Sequence, residues 1–311
     1  MSTDVLLFAG QGAQDVGMGV DVVDEYPAAA EAFKTAGDAI DIDLLAICRN
    51  GPAERLERTD ICQPAILTVS IAILRALESD AGAQSPLAAA GLSLGEYSAL
   101  VAAGALGFTD AVRLTHARGT YMQEACDANP GTMYSIIGLD DEQVEEACAE
   151  VRADGGGIWP ANYNSPGQLV ISGEDDAAAR AADLCNEMGA RRSIQLDVAG
   201  AFHTPLMQPA AEKLGPELEA TEFTQPRHPV VSNVSAEPVD EPARIRELLM
   251  QQVTSPVRWC KSMQWCAENG AKEFLELGPG RVLRGLLRRI DRDLDCTTIN
   301  DVESLRKVTN A

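Results

Sequence analysis

The chain has 311 residues, 46% of them apolar, which is long enough to bury a large core and to build more than one lobe. Its 25 Lys and Arg stand against 47 Asp and Glu, a formal net charge of -22, and such a surface repels nucleic acid and anionic membrane, so neither is expected as a partner. The eight Cys include no C-x-x-C pair and no His beside a Cys pair, so no metal site is expected; they read as reduced, buried thiols of a cytoplasmic protein.

In chain order, Met1-Ser2-Thr3-Asp4 carries no positive stretch, and the apolar run Val5 to Ala9 is too short for a secretion signal. That run is expected to be a buried strand. Gly10-Gln11-Gly12 turns out of it. A dinucleotide fingerprint needs a third Gly where Asp15 stands, which excludes a Rossmann reading. Helical patterns run from Pro27 to Ala39 and from Gln63 to Leu77, the second apolar on most sides and therefore buried. Leu87 to Ala90 leads as a strand into Gly91-Leu92-Ser93-Leu94-Gly95, and Glu96 to Ala103 leads out as a helix. The longest small-apolar stretch, Ser98 to Phe108, is broken by Gly104 and Gly107 and cannot span a bilayer. Thr109-Asp110 opens a further helix reaching Cys126.

From Gly131 to Val198 the pattern changes. Strands at Thr132 to Leu139, Ile158 to Tyr163, Leu169 to Ser172 and Arg192 to Val198 alternate with helices at Asp140 to Val151 and Asp175 to Met188. This βαββαβ order is the ferredoxin-like one. We therefore expect residues 129–200 to be a subdomain inserted into a core made of residues 1–128 and 201–311. Afterwards come a helix from Pro205, a strand at Val230 to Asn233, helices at Pro242 to Gln252 and Cys260 to Asn269, a strand at Glu273 to Leu277, and a final helix from Arg281. The expected fold is α/β: an α/β-hydrolase-like core with a parallel sheet, carrying the ferredoxin-like insertion.

The chemistry centres on Ser93. Strand, Gly-flanked turn and helix form the setting in which a serine hydroxyl is exposed at a sheet end and an oxyanion meets a helix N-terminus. A Gly-rich turn with an ordinary surface Ser is the plain alternative. A nucleophile needs a base, and there are three His. Helical phase puts His116 with Arg113, Thr120, Gln123 and Glu124 on a solvated arc, and His228 sits in a polar connection beside Arg227. His203 lies in the small-residue bend Val198-Ala199-Gly200-Ala201-Phe202-His203-Thr204-Pro205. Thr204 suits an N-cap and Pro205 the first helical position, and the positive helix end favours the neutral imidazole that a base requires. A packed core histidine is the alternative there. Arg118 falls on the apolar arc of its helix and so needs a buried anion, either a structural carboxylate or a substrate carboxylate gripped by the guanidinium fork. The N–H groups of Gln11 and Leu94 are candidates for an oxyanion hole, against an ordinary Gly turn. Arg281, Arg284, Arg288, Arg289 and Arg292 gather on one arc of the last expected helix, with Val282, Leu283, Leu286, Leu287 and Ile290 opposite. That cationic stripe is either a solvated face paired with carboxylates or a steering surface for an acidic partner.

Over nearly its whole length, from Leu7 to beyond Asn300, the chain resembles the malonyl-CoA:acyl carrier protein transacylases. The residues carrying the resemblance are Gly10-Gln11-Gly12-Ala13-Gln14, Gln63-Pro64-Ala65, Gly91 to Tyr97, Arg118-Gly119, Asn162 to Gln168, Gly200 to His203, Ser255 to Trp259 and Glu276 to Gly280. The resemblance implies Ser93 as acyl-accepting nucleophile, His203 as its base, Arg118 as clamp on the malonyl carboxylate, and Gln11 and Leu94 as backbone oxyanion donors. It also implies that the main-chain carbonyl of Gln252 orients His203. Its partners are malonyl-CoA and acyl carrier protein; no cofactor is implied, and a monomer is expected. Leu92 departs from the family's common His before the nucleophile, where tuned packing is expected, and Phe202 matches the malonyl-selecting form. The expected role is malonyl transfer in fatty acid biosynthesis. A stand-alone polyketide acyltransferase, a serine esterase or thioesterase, and a non-catalytic carrier-binding module are the alternatives.

Overall fold

Two sheets organise the chain in the computed structural model, which describes residues 3–198 and 200–310. Met1, Ser2 and Ala311 lie outside the described residues, as does Ala199 of the expected bend before His203. The larger sheet is built from β1 (Val5–Phe8), β2 (Ala88–Gly91), β7 (Val230–Val231), β8 (Pro238–Val239), β9 (Glu273–Leu277) and β10 (Asp295–Ile299), in the order β10-β9-β1-β2-β7-β8. All neighbours pair in parallel except β7 with β8. Every residue of β1 and β2 is buried, as expected of parallel strands covered on both faces. Because β1 and β2 run the same way, the turns after Phe8 and after Gly91 emerge at one edge of the sheet, where open α/β sheets carry their sites.

The helix Thr59–Ala81 fills one side of this sheet, packed against Phe108–Ala128 and Pro27–Ile40. It extends the expected Gln63-to-Leu77 helix at both ends. Among the described residues it is also the one helix long and apolar enough to cross a membrane, but 89% of its most apolar stretch is buried inside the protein. Its crossing with Phe108–Ala128 is close. A Cβ at Gly119 would lie 2.3 Å from the Thr59 carbonyl oxygen, so glycine there lets Arg118 approach Gln63.

The smaller sheet takes β3 (Thr132–Ile137), β4 (Ile158–Ser165), β5 (Gln168–Gly173) and β6 (Arg192–Gln195), antiparallel throughout in the order β4-β5-β3-β6. Helices Asp141–Ala153 and Asp175–Glu187 pack on it around their own apolar cluster, including Ile136, Val144, Ile171 and Ala181. Its edge strand β4 is tied to the rest of the chain by reciprocal bonds: Tyr163 N–H donates to Val257 O (2.9 Å) and Val257 N–H to Ala161 O (2.8 Å).

Several expectations shift. The strand expected to reach Val198 ends at Gln195. The helix expected from Pro205 begins as a 3₁₀ turn, Pro205–Met207, before Gln208–Ala220. The helix Val282–Ile290 is not the last element, since β10 and the helix Val302–Thr309 follow. β10 reads Asp-Cys-Thr-Thr-Ile, with no alternation to betray it, and is a strand because it pairs with β9. The short helices Val20–Glu25, Leu44–Asn50 and Ala53–Glu57 also escape sequence periodicity, being under two turns long.

Candidate active site

Ser93 stands two residues beyond β2, with φ of 52°, a left-handed conformation uncommon for a residue carrying a Cβ. The two flanking glycines are required by contact. A Cβ on Gly91 would lie 1.9 Å from the Gly95 carbonyl carbon, and one on Gly95 would lie 2.2 Å from the Phe8 carbonyl oxygen. The turn is therefore folded back on itself and pressed onto the end of β1. The turn after β1 approaches from the other side, where a Cβ on Gly10 would lie 2.3 Å from Leu92 O. Leu94 precedes the helix Gly95–Ala102, and among the described residues neither its N–H nor that of Gln11 meets an intramolecular acceptor. Leu92 packs into a cluster with Trp259, Leu283, Leu286 and Leu287, so its side chain serves packing as expected.

His203 also has positive φ, 59°, and is buried. Its Nδ1 lies 2.9 Å from the main-chain carbonyl of Gln252, and its Nε2 lies 2.8 Å from Ser93 Oγ. A carbonyl only accepts, so the proton sits on Nδ1, and Nε2 presents its lone pair to the serine O–H. Burial pushes the His203 pKa down to about 4, and the Arg118 charge pushes the same way. The helix end is not the cause. Thr204 does cap the next turn, accepting from Leu206 N–H at 3.3 Å, but that turn is three residues long.

Arg118 is 2% exposed, and its hydrogen-bond partners are all neutral. Nη1 donates to Gln63 Oε1 (2.7 Å), while Nη2 donates to Ser93 Oγ (3.0 Å) and Gln252 Oε1 (3.1 Å). Its Nε has no partner, and the Tyr97 ring lies beside the guanidinium at 5.7 Å. A structural carboxylate in direct contact, one of the two sequence alternatives, is absent among the described residues. A guanidinium so desolvated carries a penalty of several kcal/mol that neutral acceptors only partly offset.

Three residues of this site were missed as functional candidates. Gln63 holds Arg118, whereas Glu96 and Asn233 lie beneath the Ser93 turn. A carboxylate in the first turn of an otherwise buried helix was the available signal for Glu96. The other two histidines differ from their expected settings. His116 is half-buried, with Nδ1 2.9 Å from Asp60 O, because the helix Thr59–Ala81 covers its arc. His228 is buried, and burial with the neighbouring Arg227 pushes its pKa down to about 4. Among the described residues no group of three or more His, Cys, Asp or Glu is placed to hold a metal ion.

Residues 5–307 match the model of the acyl transferase domain. The chain belongs to the acyl transferase family. The malonyl CoA-acyl carrier protein transacylase of Salmonella typhimurium is 44% identical to this acyl transferase over 305 residues, covering 98% of each chain. Its counterpart in Bacillus subtilis is 43% identical over 305 residues, covering 98% of this chain and 96% of its own. Among solved structures, the malonyl CoA-acyl carrier protein transacylase of Coxiella burnetii superposes with a TM-score of 0.96 at 39% identity, over 99% of this chain and 97% of that one. A malonyl-transacylase solved in complex with a type II PKS acyl-carrier protein gives 0.95 at 44% identity, over 99% of each.

In this acyl transferase the arginine stripe lies at the same sheet edge as Ser93. The helix Val282–Ile290 follows β9, and Leu283 and Leu287 share the cluster of Leu92. All five arginines are exposed, and among the described residues none forms an ion pair. Pairing with surface carboxylates, one of the two sequence alternatives, is not found. Val282, expected on the buried face, is 51% exposed.

Proposed function

We propose that the chain moves a malonyl group from malonyl-CoA to the phosphopantetheine thiol of an acyl carrier protein, through a malonyl ester on Ser93, in fatty acid biosynthesis. The observation that carries this reading is Arg118: a buried guanidinium with no carboxylate in direct contact, hydrogen-bonded to the hydroxyl beside it. An acyl group bearing its own carboxylate supplies the missing anion and presents its thioester carbon to Ser93. A simple esterase has no use for such a charge.

His203 Nε2 takes the Ser93 proton as Oγ attacks the thioester carbonyl. The N–H groups of Gln11 and Leu94 receive the oxyanion, in support of which both lack intramolecular acceptors. The C–S bond breaks, CoA leaves with the proton from His203, and malonyl remains on Oγ as an ester. In the second half-reaction His203 takes the proton of the phosphopantetheine thiol. The sulfur attacks the ester carbonyl, Ser93 regains its proton, and malonyl leaves as a thioester on the carrier. The Gln252 carbonyl keeps the imidazole in the tautomer that both halves need. No metal or cofactor enters the scheme. Phe202, buried beside His203, suits selection of malonyl over bulkier acyl groups.

The finer architecture follows the same reading. Residues 129–200 form a ferredoxin-like insertion, supported by the order β4-β5-β3-β6 and the separate apolar cluster. Residues 1–128 and 201–311 form a hydrolase-like core, supported by the strand–turn–helix around Ser93. The unpaired arginines of Val282–Ile290 steer an acidic carrier protein to the Ser93 edge. Eight free thiols suit a protein working in the reducing cytoplasm.

Intact-mass measurement tests the reading. Incubation with malonyl-CoA should leave a malonyl adduct on Ser93 that added phosphopantetheinylated carrier removes. Acetyl-CoA should label far more slowly. Release of free malonate at the rate of carrier loading would make the chain a hydrolase instead. A polyketide carrier is the second reading, favoured by the 44% identity to the transacylase solved with such a carrier; the rates of loading each type of carrier decide it.

A further inference from the structure

Ser93 holds a left-handed backbone conformation that nothing in its own side chain favours, so other residues must hold it there. Both of its peptide groups are gripped by side chains distant in sequence. Its N–H donates to Asn233 Oδ1 at 2.6 Å, and its C=O accepts from Gln252 Nε2 at 3.1 Å. Asn233 also donates through Nδ2 to Gly91 O at 2.8 Å, so it spans both ends of the nucleophile turn.

Those two residues are themselves anchored on one oxygen, Asn233 through its backbone and Gln252 through its side chain. Glu96 Oε2 accepts the Asn233 backbone N–H (3.0 Å) and Gln252 Nε2 (2.7 Å). The carboxylate is 4% exposed and forms no ion pair among the described residues. Its effect on Gln252 is directional. An amide carries a donor end and an acceptor end, and the Glu96 Oε2 that meets it already accepts the Asn233 N–H and so presents an acceptor. It therefore turns Nε2 of Gln252 toward itself and Ser93 O, which leaves Oε1 facing Arg118 Nη2 at 3.1 Å. The opposite amide orientation would set Oε1 against two acceptors and Nε2 against a guanidinium. The main chain of the same Gln252 holds His203.

We propose that Glu96 is a positioning residue for acyl transfer: one carboxylate oxygen, acting through Asn233 and Gln252, holds the Ser93 turn and the orientation of the amide that meets Arg118. The requirement is an acceptor oxygen at that point. Glu96 touches no reacting atom. The role rests on Ser93 being the nucleophile, and its test is chosen to separate the two.

The test measures the rate at which a fluorophosphonate probe labels Ser93, together with kcat and KM for malonyl-CoA and the Tm of each variant. The probe carries no malonyl group and so reads the nucleophile alone. E96Q keeps an oxygen able to accept both N–H groups, and its labelling rate and kcat should stay within a few-fold of the unmodified protein. E96A removes the acceptor, and N233A removes the hold on Ser93 N–H and Gly91 O. Each should label and turn over about a hundredfold more slowly, the scale expected when reacting groups shift by about 1 Å. E96A should also raise KM for malonyl-CoA, because the amide facing Arg118 is freed, whereas N233A should act on kcat. Folded E96A labelling as fast as the unmodified protein overturns the proposal, and so does folded E96Q as slow as E96A. If E96A does not fold, N233A decides alone: undiminished labelling in it is refuting. An unmodified protein that the probe does not label refutes Ser93 as nucleophile, a different failure.

Discussion

Arg118 and the arginines of the helix Val282–Ile290 put one side-chain chemistry under opposite conditions. Arg118 is buried, held by Gln63, Gln252 and Ser93, and has no carboxylate partner. Arg284 and Arg288 are exposed in a chain of net charge -22 and are equally unpaired. Burial makes the first a short-range, unscreened charge, suited to selecting one anion by contact. Exposure makes the others a diffuse, salt-screened charge that acts on encounter. Under the proposed function, an unpaired arginine marks a missing anion in both places, and its depth separates a substrate group from the surface of a partner.

The sharpest way to break the buried half of this comparison is Ser93→Ala. Nucleophile and base act as a unit, so acyl-enzyme should vanish by intact mass and transfer should fall by several orders of magnitude. Circular dichroism and Tm should stay close to those of the unmodified protein, because one hydroxyl is removed. An active Ser93→Ala protein ends the covalent scheme.

Arg118→Ala comes next. Removing one partner of a buried charge pair costs roughly 3–5 kcal/mol, so malonyl transfer should lose about a hundredfold or more in kcat/KM. Acetyl transfer should lose much less, since acetyl brings no carboxylate. Equal losses for both acyl groups would make Arg118 structural and erase the contrast with the surface arginines.

A third prediction concerns pH. Burial and Arg118 hold the His203 pKa near about 4, below its ordinary 6.5, so the neutral base persists well into acid. The acid limb of kcat/KM for malonyl-CoA should therefore fall through about pH 4 and not through 6.5. An acid limb at 6.5 would mean that the buried site is wetter than its geometry shows. The stability sign follows from the same shift. A histidine with depressed folded pKa contributes stability that is fully present above 6.5 and lost as pH falls through about 4. His228, also near about 4, adds to the same window, so Tm should decline over it.

The smallest effect is expected at the surface. Reversal of Arg284 and Arg288 to Glu should slow the carrier-protein half-reaction by roughly tenfold at low salt and flatten its salt dependence. The malonyl-CoA half-reaction should hardly change. Equal change in both halves would show that the helix supports the site through Leu283 and Leu287 and not through its charge.

The candidate site residues were legible because each breaks a local rule. Ser93 sits between glycines at a strand end, Arg118 interrupts an apolar arc, and His203 lies in a small-residue bend beside a cap-and-proline pair. Asn233 breaks no rule that could be read, and Glu96 shows only as a carboxylate on an otherwise buried helix; their meaning is a contact across 137 positions of sequence. Helical phase failed for His116 because it assumes one buried face, and here the helix Thr59–Ala81 covers a second.

The sequence by itself determined the order of elements through the small sheet and the parallel core strands, and it singled out Ser93, His203 and Arg118 as candidates, since each depends on periodicity or on neighbours in the chain. The tertiary structure decided the partners of those groups. It chose the neutral amides around Arg118, the carbonyl that fixes the His203 tautomer, and the pairing that makes a strand of Asp295–Ile299. Hydrogen bonds and desolvation depend on distances of a few ångströms, and only the folded chain brings residues 93, 118, 203, 233 and 252 within that range.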